Sequence, residues 1–178
     1  MPLSKTNDEI LQKELRKGKR KAFDIVVSKY KDKVFNTAYR YLSDWRDADE
    51  IAQECFVLLK TRRKRLKKEY SLQSFIYKLN IELCKNRLKA KPRQDKKNIF
   101  NLSRGGKTAI IEKKETEMAI QNAIASLDDV LKDAVILRDI EGLPFEDIVA
   151  LTGRSLETVK ENLHAARLTL REKLGELL

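Results

Sequence analysis

The chain has 178 residues, with 38 Lys and Arg against 27 Asp and Glu, a formal net charge of +11. That length suits one ordinary domain or two small ones, and the excess of positive charge suits a polyanionic partner, most simply nucleic acid. No apolar run of about eighteen residues is present, and the opening MPLSKTNDEI lacks the apolar stretch of a secretory signal, so the expectation is a cytoplasmic protein with no membrane insertion.

Asp8 reads as a cap for DEILQKELRKG, a helix that stops at Gly18. KAFDIVVSKYKDKVFNTAYRYL then places Phe23, Val26, Val27, Tyr30, Val34, Ala38 and Tyr41 at helical spacing, a core stripe. A third helix starts after Ser43 or Asp44 in SDWRDADEIAQECFVLLK. Its expected buried stripe is Ala48, Ile51, Ala52, Cys55, Leu58 and Leu59, which leaves the carboxylates and Gln53 outside. TRRKRLKKEY is a basic connector or a fraying helix end, after which SLQSFIYKLNIELCKNRLKAK resumes the helical period from a Ser71 cap. From Pro92 to about Lys114 the period is lost among Pro, a Gly pair and polar residues, the composition of a mobile linker.

TEMAIQNAIASL is one further amphipathic helix and DDVLKDAVILRDIEG another, capped by Asp128 and stopped by Gly142. LPFEDIVALTG puts Pro144 in a first turn with two acids behind it and ends on Gly153. Ser155 opens the last helix, which packs through Val159, Leu163, Ala166, Leu170 and Leu174. The fold class is therefore all-α: two small helical domains, residues 1–91 and 116–178, joined by a flexible linker at 92–115, the second domain ending in a helix-turn-helix.

Charge divides the same way. Residues 1–112 hold 29 Lys and Arg against 14 Asp and Glu, and residues 113–178 hold 9 against 13. An anionic membrane surface would also attract the basic part, but its apolar residues follow a core period rather than one amphipathic anchor. Cys55 and Cys84 form no CxxC pair and lie in apolar helical patterns, which reads as buried reduced thiols; with His164 the single histidine, no metal site is expected. No Ser/His/Asp set and no phosphate-cradling glycine loop is present, so neither an enzyme nor a cofactor is expected.

Two features bear on nucleic acid. A short helix, a turn at Gly153 and a longer helix form a helix-turn-helix pattern, which helical hairpins unrelated to DNA share. Phe75 and Tyr77 lie beside Lys78, Lys85, Arg87, Lys89 and Lys91, a mixture that can stack unpaired bases and neutralise phosphates. Phe75 is the better core residue; the basic cluster is the better binding surface.

Taken together, DADEIAQECF at 47–56 and SLDDVLKDAVILRDIEGLPFEDIVALTGRSLETVKENLHAAR resemble, in order and spacing, the polymerase-docking motif and the promoter-reading C-terminal domain of bacterial sigma factors. Two domains without extra ones are similar to the extracytoplasmic function type of the sigma-70 family. The resemblance implies that Asp47, Asp49, Glu50, Gln53 and Glu54 form an outward face that docks on core RNA polymerase, where carboxylates meet basic groups. It implies that Tyr77, Lys78, Glu82, Lys85, Asn86 and Arg87 face the melted minus-ten element as single strand. It also implies that Arg154, Ser155, Thr158, Lys160, Glu161, Asn162, His164 and Arg167 contact the minus-thirty-five duplex. An anti-sigma factor is a further partner the resemblance allows.

Several positions depart from the family pattern, which commonly has Trp at Phe75, Asn at Glu82, Arg at Lys160, and Ser, Arg and Arg at Glu161, Asn162 and Ala165. Two fewer arginines mean fewer phosphate contacts. Glu82 cannot donate to a base as an amide can, whereas Glu161 can accept from a cytosine amino group and Asn162 can pair with adenine. These departures motivate an alternative, a degenerate sigma-like protein that binds polymerase or a regulator without selecting promoters. A dimeric helix-turn-helix regulator is a third reading, and it gives the docking motif no role.

Overall fold

The computed structural model describes residues 2–67, 71–90 and 108–175, and the side chains of 7–67, 71–90 and 114–175. Among the described residues the regular elements are helical: α1 (Pro2–Arg16), α2 (Arg20–Leu42), α3 (Trp45–Arg62), α4 (Leu72–Ala90), α5 (Thr108–Ala125), α6 (Asp129–Val135), α7 (Phe145–Thr152) and α8 (Leu156–Leu174). The all-α expectation holds. Residues 1–39 and 45–88 form one compact unit, and residues 40–44 with 89–178 form the other.

In the first unit α1 begins at Pro2, where proline's fixed φ suits a first turn. Asp8 is therefore not its cap; it lies inside the helix and its carboxylate accepts from Lys29 Nζ at 2.6 Å. Gly18 ends the turn after α1 at φ +77°, a conformation open to glycine because it has no Cβ. The core of this unit runs through Leu15, Val26, Tyr30, Val34 and Ala38, then Ala48, Ile51, Cys55 and Leu59, with Ile76 and Leu79. Burying each large aliphatic side chain contributes about 1.5–3 kcal/mol, which is what fixes these amphipathic helices in place. Phe23, Val27 and Leu58, read as core, are only half-buried, whereas Phe56 is buried.

The basic run after α3 continues as a single 3-10 turn, Arg63–Arg65, and residues 68–70 lie outside the described ones. Ser71 caps α4 as expected: its Oγ accepts from the Ser74 N–H at 3.1 Å. Of the expected linker, residues 92–107 lie outside the described ones, while α5 is helical from Thr108.

In the second unit α6 runs into a five-residue π-helical segment, Ile136–Ile140, in which the Glu141 N–H reaches the Ile136 carbonyl at 2.9 Å. Asp128 occupies the N-cap position of α6 without a side-chain cap hydrogen bond. Ile136, Leu137, Leu143 and Ile148 are buried with Val159, Leu163 and Ala166 of α8. No described helix is long and apolar enough to cross a membrane.

Candidate functional site

On α3 the side chains of Asp49, Glu50, Gln53 and Glu54 are exposed, on the side opposite Ala48, Ile51, Ala52 and Cys55. Gln53 Nε2 donates to Asp49 Oδ2 at 3.1 Å, an i, i+4 bond that aligns the row. Asp47 does not join this outward row. It is buried to 8% exposure in the first turn, where its carboxylate accepts from Arg87 Nη1 of α4 at 2.8 Å. Helical spacing places Asp47 at the edge of the stripe, and the guanidinium opposite draws it inward. The same nitrogen donates to Glu50 Oε2 at 3.0 Å.

The α4 surface differs from the expected one in two residues. The Tyr77 ring is 1% exposed, so it cannot stack a base; α4 buries a face broad enough to take in Ser74, Phe75, Ile76, Tyr77, Leu79 and Asn80. Arg87 is turned toward the α3 carboxylates. Lys78, Glu82 and Asn86, each one turn from the next, remain exposed, with Lys85 half-buried beside them. Glu82 is neighboured by a cation, Arg62 Nη1 at 3.6 Å. Buried Asn80 donates to the Val34 carbonyl at 3.0 Å, so its amide serves the core.

In the second unit Gly153 takes φ +68° between α7 and α8, its N–H bonded to the Val149 carbonyl at 2.9 Å. Ser155 Oγ caps α8 by accepting from the Thr158 N–H at 3.1 Å and is 2.8 Å from Thr158 Oγ1. Capping ties up Ser155 and Thr158 within the protein. Lys160, Glu161, His164 and Arg167 are exposed along α8, and Asn162 is half-buried. Lys160 Nζ lies 5.6 Å from the centre of the Phe145 ring, which Arg138 also covers at 4.4 Å. Arg154 Nη1 is 3.2 Å from the buried Asp133 carboxylate, and Arg167 grips Asp139 through Nε and Nη2 at 2.9 and 2.6 Å.

An open cleft of about 810 Å³ on the first unit is lined by Glu9, Gln12, Lys13, Arg16, Lys17 and Lys64. Among the described residues no group of three or more His, Cys, Asp or Glu could hold a metal ion.

Comparison with known proteins places this geometry. Residues 26–94 match the family model described as Sigma-70 region 2, and residues 117–170 match Sigma-70, region 4. Together they span more than half of the chain. It is 27% identical over 184 residues to the ECF RNA polymerase sigma-E factor of Haemophilus influenzae, covering 96% of this chain and 97% of that one. The chain belongs to the sigma-70 family, in its extracytoplasmic function group. A second relative of this sigma factor is the RNA polymerase sigma-H factor of Pseudomonas aeruginosa, 25% identical over 189 residues, 99% of this chain and 98% of that one. Among solved structures, CnrH in complex with the cytosolic domain of CnrY matches at TM-score 0.75 with 16% identity, over 95% of this chain and 97% of that one. The sigma factor RpoE in complex with the anti-sigma factor NepR from Bartonella quintana matches at 0.69 with 18% identity, over 87% and 98%. These two likenesses speak to the fold.

Sequence reasoning about this sigma factor missed the acids that hold its arginines. Asp133 and Asp139 read as ordinary polar positions of an amphipathic helix, and their partners lie 21 and 28 residues away. No local spacing signals such pairs. The cleft between α1 and the 3-10 turn was also missed, although the run TRRKRLKK supplied its one visible signal.

Proposed function

We propose that this sigma factor docks on core RNA polymerase through α3 and directs promoter-specific initiation, with residues 1–91 serving docking and the minus-ten strand, 92–115 linking, and 116–178 serving the minus-thirty-five duplex. One observation carries the reading: a row of exposed carboxylates and amide on α3, with Gln53 and Asp49 bonded to each other, in a chain whose last helix is a capped second helix of a helix-turn-helix. Carboxylates in a row suit a basic partner surface. On α8, Lys160, His164 and Arg167 offer charge to phosphate or base, and exposed Glu161 offers an acceptor to cytosine. Lys78 and Lys85 supply phosphate neutralisation on α4 beside Asn86, which can hydrogen-bond a base.

The bond-making chemistry belongs to the polymerase in this reading, and the chain contributes recognition in the cytoplasm. An anti-sigma factor is the natural regulator, since the structural relatives were solved with such a partner or with a cytosolic domain bound.

Pull-down with purified core polymerase, followed by sequencing of RNA starts made by the reconstituted enzyme, tests this. Defined starts that vanish with Gln53→Ala plus Glu54→Arg are expected. Core binding without defined starts would instead support the degenerate reading that Glu82, Glu161, Asn162 and Ala165 motivate.

A further inference from the structure

We propose that Arg87 is a positioning residue for the docking row, acting through Glu50, and that it is not a contact to the melted strand. The inference rests on the reading of α3 as the docking surface. Arg87 Nη1 lies 2.8 Å from Asp47 Oδ1 and 3.0 Å from Glu50 Oε2, so one donor joins two carboxylates that sit three residues, one turn, apart on α3.

The three side chains differ in what they can do alone. The Asp47 side chain is 12% exposed and that of Arg87 27%, so the pair compensates a carboxylate that has largely lost its water. Glu50 is 64% exposed. Without Arg87 its side chain would sample many rotamers, and docking would have to pay the entropy of choosing one. Arg87 is anchored by Asp47 and in turn holds Glu50, which leaves Glu50 preorganised at the edge of the row. A guanidinium recessed to that degree and already joined to two acids is a poor phosphate ligand, because a phosphate would have to displace charge-assisted bonds of the same kind. The consequence is a tie between helices: α4, the helix assigned to the minus-ten strand, fixes a side chain on α3.

The test measures the affinity of the full chain for core polymerase, with Arg87→Met chosen to keep the apolar stem. Loss of preorganisation at one exposed carboxylate predicts about fivefold weaker core binding. In a Glu50→Ala background the same change should add less than about 1.5-fold, because the residue through which Arg87 acts is gone. Arg87→Lys should recover part of the loss. Melting curves check folding; should Arg87→Met unfold by stranding Asp47, Asp47→Asn with Arg87→Met removes that charge and carries the same prediction.

The docking reading is checked separately by Gln53→Ala with Glu54→Arg. If that pair abolishes core binding while Arg87→Met leaves it unchanged, the positioning role is wrong and docking stands. If the pair has no effect, docking itself fails and the role of Arg87 falls with it. An Arg87→Met protein with normal core affinity, whose complex binds a minus-ten single-stranded oligonucleotide with a salt slope lower by about 0.7, would show a phosphate contact instead.

Discussion

Replacing Asp139 by Asn asks whether Arg167 is available to DNA. In the structure Arg167 commits Nε and Nη2 to Asp139 at 2.9 and 2.6 Å. The side chains are 56% and 31% exposed, so solvent screens the pair and its worth is about 0.2–1 kcal/mol in spite of the bidentate geometry. Reaching a phosphate or a guanine costs Arg167 that amount. Asp139→Asn removes the opposing charge, and the affinity of the polymerase complex for a minus-thirty-five duplex should rise between about 1.4-fold and fivefold. If Arg167 stays on Asp139 in the wild-type complex and reaches a phosphate only in the variant, the dependence of log K on log salt should also steepen by about 0.9. Fluorescence anisotropy with a labelled duplex, titrated across salt concentrations, measures both quantities. Unchanged affinity and slope, or weaker binding, would refute the reasoning and leave Arg167 as a surface pair that steadies α8. An Arg167→Ala background provides the internal control, since Asp139→Asn should then gain nothing through this route.

Three further outcomes rest on the fold. Ser155→Ala should cost about 1 kcal/mol of stability by denaturant titration and Ser155→Asp much less, because the cap to the Thr158 N–H needs only an acceptor. Gly18→Ala should cost about 1–2 kcal/mol, since φ is +77° and a Cβ would stand 3.1 Å from the Arg63 guanidinium. Burial pushes the Cys55 and Cys84 thiols up to about 12, so native protein should resist alkylation at neutral pH. Below about pH 9 folded and unfolded chains both hold these protons; from there toward 12 only the unfolded chain releases them. Stability should therefore fall by about 1.4 kcal/mol per pH unit per thiol, a slope that urea titrations of Cys→Ala variants would flatten.

What the sequence made legible follows from local rules. Left-handed glycines at Gly18, Gly142 and Gly153 and the Ser71 and Ser155 caps punctuate the helices where the chain's own residues demand it. Periodicity also separates the buried stripe of α3 from its exposed row. It fails where a helix buries more than one face. Tyr77 follows Ile76 directly, yet both are buried, because α4 takes contacts around a wide arc. A period of 3.6 assigns a residue to a side of its own helix and says nothing of how many neighbours surround it. Asp8 misled for a simpler reason: a capping residue is a signal only at a helix start, and α1 starts earlier, at Pro2.

The arginines expose the deeper limit. Arg87 reads as a nucleic-acid contact from the basic residues around it, Arg154 and Arg167 through the resemblance to sigma factors, and all three meet carboxylates in the structure. Burial ranks how readily each could be released. The Asp139 carboxylate is 31% exposed and can return to water when Arg167 leaves, whereas the Asp133 carboxylate is 2% exposed and cannot. Because Tyr41 Oη also donates to Asp133 at 2.8 Å, Arg154→Ala leaves a buried carboxylate hydrogen-bonded but without its guanidinium and should destabilise the chain by about 1–3 kcal/mol, while Arg167→Ala should cost less than about 1 kcal/mol. Paired denaturant titrations measure the difference. Equal, small losses would mean that Asp133 is compensated without Arg154, and Arg154 would then be as free to meet a phosphate as Arg167. A large loss confined to Arg154→Ala makes that residue part of the scaffold under α8 and leaves Lys160, His164 and Arg167 as the cations that duplex DNA can recruit.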